Sequence, residues 1–171
     1  MENEKSFIAL IEQSIKKNWD SNALTDYKGV TLQYKDVARK IEKIHILLEE
    51  SGVKKGDKIA ICGRNSSHWG VTFLAVVTYG AVIVPILHEF KADNVHNIVN
   101  HSEAKLLFVG DVVWENLDES AMPNLEGVVL VRVTVSVGII SEVCYFSYSV
   151  FGKIFAKGGH CFPFIKGHRT F

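Results

Sequence analysis

The chain has 171 residues, with 19 Lys+Arg against 19 Asp+Glu, and 47% of it is hydrophobic. That length is enough for one domain with a core, and that apolar content is too high for a disordered chain. A formal net charge of zero gives no electrostatic ground for expecting a nucleic-acid partner.

The N-terminal stretch alternates charged and apolar residues and does not read as a secretory signal. The cysteines Cys62, Cys144 and Cys161 are odd in number and widely spaced. They suggest no disulfide framework, so a reducing, cytoplasmic setting is expected. Composition changes near residue 130. Beyond it lie five basic residues and one acidic one, which leaves 14 basic and 18 acidic residues in 1–130. Eight aromatic residues, from Tyr145 to Phe171, also crowd the back segment.

In chain order, Phe7, Ile8, Ile11 and Ile15 fall at helical spacing, which predicts a helix over 4–18. Tyr27-Lys28-Gly29, between 23–26 and 30–33, reads as a hairpin turn in which Gly29 takes positive φ. Val37, Ile41, Ile44 and Leu48 predict the inward stripe of a helix over 35–51, and Gly52 sits where its C-terminal cap belongs. Short apolar runs at 58–62, 81–85, 105–109 and 126–131 read as buried strands. Helical patterns at 67–79 and 92–101 separate the first three. Strand–helix alternation predicts an α/β architecture, a mostly parallel sheet with helical crossovers. From Val129 to Val137 the apolar residues alternate with period two, a strand pattern.

The strongest local candidate for chemistry is Gly63-Arg64-Asn65-Ser66-Ser67, which joins a strand to a helix. Free N–H groups and the helix dipole favour an anion at such a place, and Arg64 adds a charged fork. The competing reading is an ordinary cap by Asn65 or Ser66. It is favoured because the glycine density of a phosphate loop is missing. His88-Glu89 follows a strand end, where open α/β sheets place ligands, but neighbours in an extended loop point apart. His96 and His101 lie on one helix with no third metal ligand nearby. Lys157-Gly158-Gly159-His160 follows no clear strand and carries no phosphate-loop reading.

Five stretches resemble the AMP-binding superfamily of acyl-CoA synthetases, luciferases and peptide-synthetase adenylation domains. Leu32-Gln33-Tyr34-Lys35-Asp36-Val37-Ala38 is similar to that family's entry into an early helix. Gly52-Val53-Lys54-Lys55-Gly56-Asp57-Lys58-Ile59 resembles its Gly-Asp turn into a strand. Asn65-Ser66-Ser67-His68-Trp69 resembles its Asn-to-Trp segment, with His68 in place of the usual acid. Tyr79-Gly80-Ala81-Val82-Ile83-Val84-Pro85 and Asn100-His101-Ser102-Glu103-Ala104-Lys105-Leu106 complete the series, in the family's order. The look is nearest to bacterial long-chain fatty-acid CoA ligases.

The resemblance implies an N-terminal part of the acyl-CoA synthetase-like large domain over 1–130. The parent would join a fatty acid to AMP from ATP, with Mg²⁺, and pass the acyl group to CoA. The family's Ser/Thr/Gly-rich loop ending in Lys-Gly, its ribose-binding acid and its C-terminal lysine have no counterpart in these residues. No catalytic, cofactor-binding or metal-binding residue is therefore carried onto this sequence, and the chain is expected to be an inactive fragment with no cofactor of its own. Residues 131–171 resemble nothing in the family. They are expected to be a frame-shifted or poorly ordered tail, with a genuine fused tail as the rival. A non-catalytic binding or regulatory module on the same fold is the alternative function. Arg132 and Glu142 interrupt the apolar stretch 128–155, so no transmembrane segment is expected, and peripheral membrane association stays open.

Overall fold

Ser6 opens the first element: its hydroxyl accepts the Ala9 N–H, and α1 runs Phe7–Lys17. The computed structural model describes residues 6–131, so the expectations for residues 132–171, the Lys157-Gly158-Gly159-His160 run among them, lie outside the described residues. A hairpin follows, β1 Asn22–Thr25 antiparallel to β2 Thr31–Gln33. Its turn corrects one expectation. The positive φ, 54°, falls on Lys28 and not on Gly29. Gly29 serves a different need: a Cβ there would stand 2.9 Å from the Asp26 Cβ, so the turn closes only around a hydrogen.

Helix α2, Tyr34–Glu50, starts with a reciprocal cap in which the Asp36 carboxylate accepts the Gln33 N–H at 3.0 Å. Val37, Ile41 and Leu48 are buried on its inward stripe, and Ile44 is half-buried. It ends in a Schellman motif. Gly52, at φ 73°, lets the Val53 N–H reach back to the Leu48 carbonyl and its own N–H reach that of Glu49. The same closure ends the next two helices.

Strand β3 (Lys58–Cys62) leads through α3 (Ser67–Tyr79) to β4 (Val82–Ile86). Helix α4 (Ala92–Ser102) leads to β5 (Leu106–Gly110), and β6 is Gly127–Val131. Between β5 and β6 lie a four-residue helix, α5 (Asp111–Trp114), and a 3₁₀ turn, Glu119–Ala121. All four strands are parallel in the order β4-β3-β5-β6. All four expected strands are present, three of them starting one residue later than the sequence suggested.

The pleat sends alternate residues to opposite faces. Ala60, Cys62, Leu107 and Val109 pack with Val95 and Val99 of α4. Ile59, Ile61, Leu106 and Phe108 pack with Leu48 of α2 and Val76 of α3. A third cluster joins Leu32 of the hairpin to Val37, Ile41, Val71 and Ala75 between α2 and α3. The hairpin is thereby tied to the sheet's helical layer. Among the described residues, no helix is long and apolar enough to cross a membrane.

Candidate functional site

The chain leaves β4 and returns to the far side of β3 to form β5. The strand order therefore reverses between β3 and β5, and an open α/β sheet places ligands outside the carboxyl ends at such a point. The residues gathered there are Gly63 and the loop to Ser67 after β3, His88 and Glu89 after β4, and Gly110 and Asp111 after β5.

Two observations limit what this edge can hold. Gly63 and Gly110 face one another so closely that a Cβ on Gly63 would lie 3.5 Å from the Gly110 nitrogen. The two loops lie within van der Waals contact of each other at this point. The start of α3 is also occupied. The Ser66 hydroxyl accepts the Trp69 N–H at 3.2 Å, which makes Ser66 the cap. The Asp26 carboxylate, from the hairpin, accepts the Ser67 N–H at 2.6 Å and the Ser67 hydroxyl at 2.7 Å. An internal carboxylate thus stands where an external anion would bind. Arg64 and Asn65 are exposed on the loop.

The remaining candidates do not converge. His88 is half-buried and Glu89 exposed in the turn after β4. The His96 ring is buried, and its Nε2 accepts the Asp118 N–H at 3.0 Å, which fixes the proton on Nδ1. His101 is exposed. Among the described residues, no group of three His, Cys, Asp or Glu side chains could hold a metal ion. Cys62 is fully buried, and burial pushes its thiol up to about 11, so it is a packing residue and no nucleophile. Burial, helped by the Lys40 charge, holds the His68 ring below its ordinary value.

Sequence reasoning missed the Asp26–Ser67 tie and the His96 acceptor. Both join residues far apart in the chain, and neither leaves a local pattern. At the opposite, amino end of the sheet, Lys105 pairs with Asp57 at 2.7 Å and Lys58 with Glu103 at 3.1 Å. These pairs border a polar groove lined also by Asn124 and Glu126. At the start of α3 the Ser67 N–H thus serves Asp26 and the Trp69 N–H serves Ser66.

The model of the AMP-binding enzyme family matches residues 11–146, and the chain belongs to that family. The matched span runs past the compositional break at 130. Long chain acyl-CoA synthetase 4 of Arabidopsis thaliana is 30% identical over 115 residues, which cover 67% of this chain and 17% of that protein. The fatty acid–[acyl-carrier-protein] ligase ScoC of Streptomyces coeruleorubidus is 31% identical over 84 residues, covering 49% of this chain and 16% of the relative. Among solved structures, an anthranilate CoA ligase in complex with anthranoyl-AMP superposes with a TM-score of 0.69 at 20% identity, over 72% of this chain and 24% of that one. A long-chain-fatty-acid–CoA ligase from Archaeoglobus fulgidus superposes with a TM-score of 0.65 at 23% identity, over 75% and 27%. At these identities the superpositions establish the fold. The chain spans about a quarter or less of the length of the curated relatives it matches.

Proposed function

We propose that this chain supplies the opening scaffold of a long-chain fatty-acid CoA ligase and performs no chemistry by itself. The observation that carries this reading is the family match over residues 11–146, joined to five family-like stretches in family order. In the complete enzyme, ATP with Mg²⁺ would activate a fatty acid as the acyl-adenylate, and CoA thiol would then take the acyl group. That reaction brings anions together and depends on a donor-rich loop around the phosphates. The 171 residues contain no Ser/Thr/Gly-rich loop ending in Lys-Gly. The one helix start that could have stood in for it already serves Asp26. A long-chain substrate is favoured by the nature of two similar proteins, named for long-chain acyl and fatty-acid CoA ligation. A cytoplasmic location accords with that role.

The purified chain, given ATP, Mg²⁺, palmitate and CoA, should form neither acyl-AMP nor acyl-CoA above a protein-free blank. Turnover that a substitution within this chain abolishes would overturn the proposal. We further propose that the end of the chain, beyond the family match at 146, arises from a shifted reading frame, because charge and aromatic content change together from about 130 onward. Sequencing the downstream DNA decides this. A phosphate-loop motif encoded in another frame is the expected result, and an open frame without one refutes it.

A further inference from the structure

The chain between β5 and β6 runs as a strap against α4. Apolar side chains hold it there. Met122 and Leu125 are buried in one cluster with Val95 and Val99 of α4, and Val113, Trp114 and Leu117 pack on the same cluster. Two polar ties fix its position. The Asp118 N–H donates to His96 Nε2 at 3.0 Å, and Asn100 Nδ2 donates to the Ala121 carbonyl at 2.7 Å. His96 and Asn100 are one turn apart on α4, so both ties leave the same face of the helix.

The two ties differ in kind. An amide donates at any pH. An imidazole nitrogen accepts only while it carries no proton, and His96 is the acceptor here. Once protonated, Nε2 would set a second N–H against that of Asp118, and two donors form no bond. The ring is only 8% exposed, so the mismatch falls in a confined place. The Asn100 tie is itself incomplete, because its Oδ1 is buried without a hydrogen-bond partner.

The charged surroundings of the ring are acidic. The strap carries Asp111, Glu115, Asp118 and Glu119, and no Lys, Arg or His. Of these, Asp118 interacts electrostatically with the ring. On α4, Asp93 lies one turn before His96 and His101 in the turn beyond, while β4, β5 and β6 bring no charge. The Asp118 carboxylate is already engaged, since its Oδ1 accepts the Ser120 hydroxyl at 2.7 Å and the Ser120 N–H at 2.9 Å. Those bonds hold its carboxyl below the ordinary value, so it stays ionised where an imidazole titrates. A protonated ring that turned to this carboxylate would still abandon the backbone N–H.

We propose that the His96–Asp118 tie is a proton-operated latch on the strap, closed while the ring is neutral and released when it is protonated. The strap starts at Asp111, beside Gly110 and the loop after β3, on the edge where an open α/β sheet places ligands. Release loosens that edge, while Met122 and Leu125 keep the strap attached. Opening takes up one proton, so the open-to-closed ratio rises by up to tenfold for each pH unit below about 6.5, where a free imidazole titrates.

The test is amide hydrogen exchange, read by mass spectrometry on the full 171-residue chain and corrected for the intrinsic rate at each pH. Between about pH 7.5 and about pH 5.5, protection of residues 115–121 should fall by about fivefold to tenfold, while that of 58–62 in β3 changes less than about twofold. His96→Gln offers an acceptor that does not titrate, and should hold the strap's protection equal at the two pH values. His101→Gln should leave the acid response as it is. Exchange of the His96 ring Cε1 hydrogen reports the ring's own titration, and the loss of strap protection should share its midpoint. Four results overturn the proposal: equal strap protection at both pH values, an acid response that survives in His96→Gln, an acid response that vanishes in His101→Gln, or ring and strap midpoints that differ. Should His96→Gln not fold, the two midpoints in the unaltered chain still decide.

Discussion

Asp26 joins the hairpin to the start of α3. Its two oxygens hold the backbone and the hydroxyl of Ser67, 41 residues further on. Asp26→Ala leaves both donors without that partner, at a cost of about 1–3 kcal/mol. The thermal midpoint should fall, and adding Ser67→Ala should lower it little more, because the two residues act as one unit. Asp57 sets an acid limit. The Lys105 ammonium, and then the Lys54 N–H, hold its carboxyl below the ordinary 3.8. A pKa lower when folded than when unfolded stabilises above the unfolded value and loses that effect as pH falls through the folded one. Urea midpoints should therefore decline below about pH 4, and Asp57→Asn should flatten part of that decline. Neither tie was legible beforehand. Sequence patterns report periodicity, and a bond across 41 positions has none. Gly29 shows a similar limit: the need for a glycine was readable, but close approach to Asp26 required it, and the left-handed residue was Lys28.

At the scale of elements the sequence was more informative, because each helix carries its own start and stop. Val37, Ile41 and Leu48 are buried as their spacing implied, and Gly52 and Gly80 close α2 and α3 in left-handed geometry. The third closure was hidden, since Glu103 occupies the left-handed position at φ 55° where a glycine would signal it. Such a conformation costs a side chain about 1–2 kcal/mol. Glu103 also pairs with Lys58, but both are exposed, and such pairs contribute about 0–1 kcal/mol. Glu103→Gly should thus leave stability unchanged or raise it slightly in urea unfolding. Gly80→Ala should lower it by about 1–2 kcal/mol, with a Cβ only 3.3 Å from Lys55 Cγ. A large loss from Glu103→Gly would show that the ion pair dominates there.

For the whole molecule, the parallel sheet and its crossovers were readable because alternating buried strands and helices leave few arrangements. The site was readable only in part. The loop after β3 was found, and the cap reading held, but its filling by Asp26 depends on the tertiary fold. The back segment can be judged by its effect. Val143 to Val150 is rich in β-branched and aromatic residues, has one charge-free run and no proline, and favours aggregation when unpaired. Deleting residues 132–171 should raise soluble yield and leave the thermal transition in place. Loss of a cooperative transition on deletion would make the segment part of the fold.

The strand order also bears on synthesis. The central strand, β3, is the first of the four to be translated, and both of its neighbours come later, with β5 arriving only after α3, β4 and α4. A ribosome making this chain N-terminus first therefore exposes Ile59 and Ile61, fully buried in the end, before either flank exists. Until Gly110 has cleared the exit tunnel, β3 can be paired with β4 on one side at most. Its safe arrival depends on how quickly the next fifty or so codons are read, at about 5–20 residues per second.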